Sequence, residues 1–366
     1  MYESRSRVLN GKCNDSYRSE NNITTCSSTG LIYMYPWLNA ALYPLQSQSL
    51  MYCAIPKIAS KTLVSLMMYV FVRDIIAHLD NNSTNINIKK IRPEQLIDIP
   101  KLINQLQKNG ITITNTKEST SFSSLLKTYL HLLRFESVSS TSPSLYFNPW
   151  RLNIKDIFYS FDFKSISNLS DIFSPSFTRA LFVRHPFERL ASAYKERIAT
   201  LAKDRIQPET HYDNVRKVIC RRYTHPDWIP GPLKEEHPCE YSIPPFKHFV
   251  EFILMNTGTY SGVTQMDGHW QPYTVVCQVC KFKYNFIGKY ETFDNDFNSL
   301  LKRLNVSDWN TEKRRGASGH NTWDYQQLFS SLPDNLICRL KRLYNDDLQL
   351  FNYRIEDYVN RTTLIC

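Results

Sequence analysis

The chain has 366 residues, 42% of them hydrophobic and 13% aromatic, and a formal net charge of +10. That apolar content supplies a packed core and excludes a disordered chain, while the length allows one large or two ordinary domains. The charge implies an anionic partner: nucleic acid, membrane headgroups or an acidic polysaccharide. No zinc-finger spacing, RNA-recognition signature or dense Lys/Arg arm supports the first of these.

Residues 1–48 read as a polar stem or lead-in, partly disordered at its start. Within it, Leu31 to Leu45 is a short apolar entry segment broken by Pro36 and Pro44. Leu50 to Ile55 is an uncharged apolar run of strand length. Leu63 to Leu79 is apolar nearly all round, which marks a core helix. Between them lie Lys57, Ser60, Lys61 and Thr62, grouped at the helix N-terminus. Free backbone N–H groups and the helix dipole favour an anion there. The loop is not a Walker A loop, because no glycine occurs between Gly30 and Gly110. Taken alone, the lysines read equally as solvated charges and the hydroxyls as helix caps.

Residues 80–120 hold an Asn-rich turn and polar helix-compatible pieces, including Lys101 to Lys108. Leu125 to Arg134 is a short amphipathic helix, Ser137 to Ser144 a linker, and Leu145 to Phe163 an aromatic-rich stretch with room for a strand. A second strand–turn–helix unit begins at 179: Ala180 to Val183 is apolar, Arg184 ends it, and Pro186 opens a helix with Phe187, Leu190, Ala191 and Tyr194 on one face. Ser192 lies two turns along that helix. An Arg fork and a hydroxyl can hold a terminal phosphate by charge-assisted hydrogen bonds, although a buried structural Arg would read the same. Residues 205–245 show no periodicity and read as an irregular insertion on the acceptor side. Phe246 to Met255 is a helix, Tyr284 to Ile287 a strand, and Phe293, Phe297, Leu300, Leu301 and Leu304 mark the next helix. Leu340 to Phe351 is the last. Strands alternating with helices predict a three-layer α/β domain over 49–360 with a mainly parallel central sheet.

Several of these blocks carry a resemblance. CAIPKIASKTL, from Cys53, is similar to the 5′-phosphosulfate loop of sulfotransferases. LFVRHPFERLASAY, from Leu181, resembles the 3′-phosphate motif of the Golgi carbohydrate sulfotransferases that act on chondroitin, dermatan and related glycans. His269-Trp270, the pair Cys277 and Cys280, and the GKYET run from Gly288 to Thr292 look like the same group's third block; Tyr344 to Tyr353 looks like its final helix. The resemblance covers about residues 50–355 and implies a P-loop-NTPase-like fold. It also implies transfer of a sulfuryl group from 3′-phosphoadenosine 5′-phosphosulfate (PAPS) to a sugar hydroxyl of a glycosaminoglycan, chondroitin first, without a metal. Carried onto matching positions, Lys57 is the catalytic cation, and Ser60, Lys61 and Thr62 join it on the 5′-phosphate. Arg184 and Ser192 grip the 3′-phosphate, and Gly288, Tyr290 and Glu291 are secondary nucleotide contacts. His269 is the first candidate for the general base and His185 the second, since imidazole suits proton transfer near neutral pH; a structural His269 fits equally well. Lys61 stands in the family's usual Thr place and Leu63 in the aromatic one. These departures keep a catalytically impaired glycan-binding paralogue as the alternative. A nucleotide kinase is less well supported, given the missing Gly-rich loop.

Nine cysteines are present. Cys277 and Cys280 could be half a zinc site, a redox pair, a disulfide, or two halves of separate disulfides. Cys220 and Cys239 flank a Pro-rich stretch and are candidates for a loop staple. Seven N-x-[ST] sequons begin at Asn14, Asn22, Asn81, Asn82, Asn168, Asn305 and Asn360. Together with the cysteines they favour a glycoprotein of the Golgi lumen. The family is membrane-anchored through an N-terminal apolar span, whereas this chain starts polar, which reads as a truncated gene model.

Overall fold

The computed structural model of the chain describes residues 2–16, 33, 35, 37–79, 96–108, 122–134, 154–166, 168–201, 210–225, 239, 241–307, 309, 324–359, 364 and 366. The Asn-rich turn, the Ser137–Ser144 linker, Cys26, much of the 205–245 insertion and the sequons at Asn22, Asn81, Asn82 and Asn360 lie outside these residues. In chain order the elements used below are α1 (Tyr2–Ser16), β1 (Leu42–Leu45), β2 (Leu50–Cys53), α2 (Ser60–Leu79), α3 (Phe122–Arg134), β3 (Thr178–Val183), α4 (Pro186–Ala193), α5 (His211–Tyr223), α6 (Phe246–Leu254), β4 (Phe286–Lys289), α7 (Phe293–Arg303), α8 (Asp334–Leu343) and α9 (Asn345–Leu350). The chain divides into two compact units.

The first unit comprises residues 1–183 and 277–318. It is an α/β unit built on one sheet in the order β1-β2-β3-β4. β1 pairs antiparallel with β2, whereas β2–β3 and β3–β4 are parallel, with Cys53 opposite Leu181 and Leu181 opposite Ile287. Almost every strand residue is buried, which is why these strands read as continuous apolar runs rather than alternating ones. β1 lies within the stretch that composition marked as a lead-in; its single hairpin connection, closed by Ser49 in the left-handed region (φ 46°), puts it on the sheet edge. α2 is buried on almost all sides, as its composition requires, and packs on α3.

α1 also belongs to this unit and rests on β4. It lacks a broad apolar stripe, and polar and covalent bonds hold it instead. The Arg5 guanidinium donates to Asp296 at 2.7 Å and to the Ile287 carbonyl at 3.1 Å, and the Ser6 hydroxyl donates to the Tyr284 carbonyl at 2.9 Å. Cys13 is disulfide-bonded to Cys280, and Cys53, at the end of β2, to Cys277. Of the options open for Cys277 and Cys280, the structure takes separate disulfides.

The second unit comprises residues 184–276 and 319–366 and is helical in its described part. Its core gathers Phe187 and Leu190 from α4 and Tyr194 from the turn that follows it with Phe249, Trp270, Phe329 and Leu340. Cys220–Cys239 is a disulfide, matching the loop-staple expectation, and Cys338–Cys366 is another. Two sequence readings are corrected. The 205–245 insertion contains the regular helix α5. Its periodicity is masked because the buried Arg216 takes a core position, where its Nη1 donates to the carbonyls of Arg197, Ile198 and Thr200 and its Nη2 pairs with Asp213. The last helix, expected from Leu340 to Phe351, is two helices broken at Tyr344, whose hydroxyl donates to the Trp270 carbonyl at 2.6 Å.

Candidate functional site

In the first unit the chain leaves β2 through residues 54–59 and enters α2 at Ser60. Lys57 and Ala59 both have positive φ, 74° and 52°, without being glycine. Such conformations cost on the order of 1–2 kcal/mol each and persist where the surroundings over-determine them, commonly at ligand-binding turns. Left-handed residues at a helix N-terminus also turn successive N–H groups toward one point, which makes an anion-binding concavity. Ser60 and Thr62 are buried in the first turn of α2, while Lys57 and Lys61 are half-buried. The structure thus brings Lys57, Ser60, Lys61 and Thr62 to a single loop–helix junction. Leu63, in the family's aromatic place, is buried.

The turn after β4 leaves the same edge of the sheet, since β2, β3 and β4 run parallel. It carries Tyr290 and Glu291, and Gly288 lies within β4 just before it. Gly288 is required by packing: a Cβ there would lie 2.3 Å from the Phe182 ring. That ring is buried against Phe286 and Phe293. Asp296, on α7, organises the turn. Its Oδ2 accepts from the Lys289 N–H at 2.9 Å, the Thr292 hydroxyl at 2.6 Å and Arg5 at 2.7 Å. Sequence reading assigned nothing to Asp296 or Arg5, because their meeting spans 291 positions of chain.

The second unit holds Arg184, Ser192 and His269. Arg184 is buried; its guanidinium pairs with Glu188, one helical turn along α4. Burial pushes the Glu188 carboxyl up, but the Arg184 contact overcomes it and holds the carboxyl below its ordinary range. The Arg184 backbone is gripped as well. Its N–H donates to the Tyr273 hydroxyl at 3.2 Å, and that hydroxyl donates to the Arg184 carbonyl at 2.8 Å. Ser192 is half-buried on the last turn of α4. His185, the second candidate base, is the N-cap of α4: its Nδ1 accepts from the Phe187 N–H, and its Nε2 donates to the Arg354 carbonyl at 2.8 Å. With both nitrogens so used and the ring buried, it is a structural residue.

His269 sits in a polar cluster. Its Nδ1 is 2.7 Å from Asp267 and 3.0 Å from the Tyr212 hydroxyl, and its Nε2 accepts from Arg197 Nε at 3.1 Å. Asp267 is raised by burial, but its bonds to His269 outweigh this and bring its carboxyl down to about 2. A carboxylate on Nδ1 fixes the Nε2-accepting tautomer. Arg197 lies in a π-helical turn, Tyr194–Ile198, of a kind common at functional sites. The loop carrying His269 is clamped by Arg189, which donates to the Gly268 and Gln271 carbonyls at 2.6 and 2.8 Å. Glu188 and Arg189 lay inside a recognised motif without a role; Tyr273, Asp267 and Arg197 gave no signal in sequence. Among the described residues the His/Cys/Asp/Glu group with metal-ligand proximity is Cys220, His225 and Cys239, where the disulfide occupies both sulfurs.

A mostly parallel sheet flanked by helices, with a strained, hydroxyl-bearing turn at the N-terminus of a buried helix, defines an α/β protein. The chain belongs to the sulfotransferase family, which it matches over residues 45–354. It is 28% identical over 228 residues to carbohydrate sulfotransferase 12 of Xenopus laevis, covering 61% of this chain and 49% of that protein. It is 27% identical to carbohydrate sulfotransferase 10 of Danio rerio, over 49% of this chain and 47% of the other, and 31% identical to human carbohydrate sulfotransferase 9, over 40% and 28%. The chain spans about half the length, or less, of the relatives it matches. No solved structure matches it. No helix among the described residues is long and apolar enough to cross a membrane.

Proposed function

We propose that this sulfotransferase moves the sulfuryl group of PAPS to a hydroxyl of a glycosaminoglycan, most simply chondroitin. The observation that carries the reading is the junction at residues 57–62. Two non-glycine residues with positive φ, two buried hydroxyls and two lysines meet at the start of a buried helix. Ser60, Lys61 and Thr62 hold the 5′-phosphate in this reading, and Lys57 offsets charge growing on the leaving phosphate oxygen. Arg184 and Ser192 hold the 3′-phosphate, with Glu188 fixing the Arg184 fork. Gly288, Tyr290 and Glu291 stand as secondary nucleotide contacts. The donor supplies the activated sulfate; the protein orients the acceptor and takes its proton.

For the proton, Asp267 and Tyr212 support His269 as base, since together they hold the ring with Nε2 as acceptor. Arg197 occupies that nitrogen, so proton transfer there requires the acceptor hydroxyl to displace Arg197. The four disulfides among the described residues fit an oxidising lumen, and with the exposed sequons at Asn168 and Asn305 they support a Golgi glycoprotein acting on proteoglycan chains.

The test is transfer of radiolabelled sulfate from PAPS to desulfated chondroitin, dermatan and heparan. Label is expected on chondroitin, with Lys57→Ala lowering kcat on the order of 10²–10³-fold, the range seen for loss of one preorganised charge-stabilising donor. Label on another polymer would move the acceptor. A folded protein that neither transfers sulfate nor gains thermal stability from adenosine 3′,5′-bisphosphate would sink the reading.

A further inference from the structure

Tyr273 lies outside the quoted motif residues and Asp347 lies inside the Tyr344–Tyr353 block, neither with a role assigned to it, and both are fully buried. The two carboxylate oxygens of Asp347 are divided between two backbone donors. Oδ2 accepts from the Tyr273 N–H at 2.8 Å and Oδ1 from the Thr274 N–H at 3.0 Å. The aspartate on α9 thereby caps the short helix Tyr273–Val276 and fixes its first residue. The Arg189 guanidinium lies over the Tyr273 ring, 4.7 Å from its centroid, and holds the preceding residues through the Gly268 and Gln271 carbonyls. The ring is therefore restrained from both ends, and its hydroxyl meets the N–H and C=O of Arg184.

A single hydroxyl bonded to both polar groups of one residue ties that residue's backbone torsions to the hydroxyl's position. Arg184 follows β3 directly and precedes the Pro that starts α4, so its torsions decide where the guanidinium leaves the backbone. Glu188 restrains the tip of the same side chain. The residue is thus held at its root by Tyr273 and at its tip by Glu188.

We propose that Tyr273, set in place by Asp347, is a positioning residue for Arg184 and so determines how strongly the protein distinguishes nucleotides that carry a 3′-phosphate from those that lack it. This rests on the reading of Arg184 as the 3′-phosphate contact. Neither Tyr273 nor Asp347 touches the nucleotide in this scheme. Their effect passes through the Arg184 peptide.

The experiment measures binding of adenosine 3′,5′-bisphosphate and adenosine 5′-monophosphate to the full chain by calorimetry, together with KM and kcat for PAPS. Tyr273→Phe keeps the ring on Arg189 and removes only the hydroxyl. It is expected to weaken the bisphosphate about tenfold, the effect of one net hydrogen bond's worth of misplacement. The monophosphate is expected to be unchanged, and the kinetic loss to fall on KM for PAPS rather than on kcat. Asp347→Asn replaces one of two acceptors by a donor and should act in the same direction, with thermal melting reporting how much of each sample is folded. Equal weakening of both nucleotides, or of neither, by Tyr273→Phe in a folded sample overturns the inference. Wild-type protein that binds the two nucleotides equally overturns the reading of Arg184 itself, and the wild-type measurement identifies that failure separately.

Discussion

Gly288 shows how one position in a recognised motif can be demanded by packing. It sits inside GKYET, and its Cα faces the Phe182 ring so closely that no side chain fits. Phe182 has no room to retreat, being buried between Phe286 and Phe293. Gly288→Ala is therefore expected to destabilise the first unit by about 1–3 kcal/mol, the usual cost of overpacking. A lowered urea midpoint checks this; an unchanged midpoint with weakened nucleotide binding would return Gly288 to a direct ligand role. His185 makes a parallel case. A histidine beside Arg184 invites a catalytic role, but an imidazole accepting from a helix N-terminal N–H and donating to a carbonyl has no nitrogen left for one.

At the scale of elements, α1 carries the clearest consequence. With Cys53–Cys277 already in place, the Cys13–Cys280 disulfide closes a ring made of residues 13–53 and 277–280, and in the chain-entropy account a loop of that size contributes roughly 4 kcal/mol by restricting the unfolded chain. Cys13→Ser is expected to lower the melting temperature and to open α1 to limited proteolysis while β4 stays protected; unaltered protease resistance would show that Arg5 and Ser6 suffice to hold the helix. The sequence made the junctions β2–α2, β3–α4 and β4–α7 legible, because each is an apolar strand followed by a helix with a clear apolar face. α1 was not legible, since an ion pair and a disulfide hold it with little apolar surface. α5 was hidden by Arg216 in a core position. The Asp347–Tyr273–Arg184 chain was equally hidden, as its partners lie 74 and 89 positions apart and no local pattern links them.

For the whole molecule, two buried ionisable groups shape the response to pH. Burial, against opposing bonds from the Tyr273 and Thr274 N–H groups and attraction from Arg189, pushes Asp347 up to about 7. Its ordinary value is about 4, so the folded chain holds a proton that the unfolded chain releases. Stability on its account is greatest below about pH 4, falls as pH rises toward 7, and is lost above that. Lys155, brought down to about 7 by burial, works the other way: the folded chain lacks a proton that the unfolded chain keeps, and stability recovers above pH 7. Denaturation midpoints between pH 5 and 7.5 should therefore decline in the wild type and flatten in Asp347→Asn. Equal slopes in both proteins would remove Asp347 from the account.

The first unit is sewn from two stretches of chain, and that has a consequence for the order in which a ribosome delivers it. β2 and β3 emerge early, but β4 and both sulfur partners, Cys277 and Cys280, follow only after residues 184–276 have been made. Throughout that interval Cys13 and Cys53 are without their eventual partners, with Cys26 nearby in sequence. The pairings available to them then are the wrong ones. In an oxidising compartment this order of synthesis favours early non-native pairing, so the yield on refolding the reduced chain is expected to rise with an added disulfide isomerase that releases Cys13 and Cys53 for partners that arrive late.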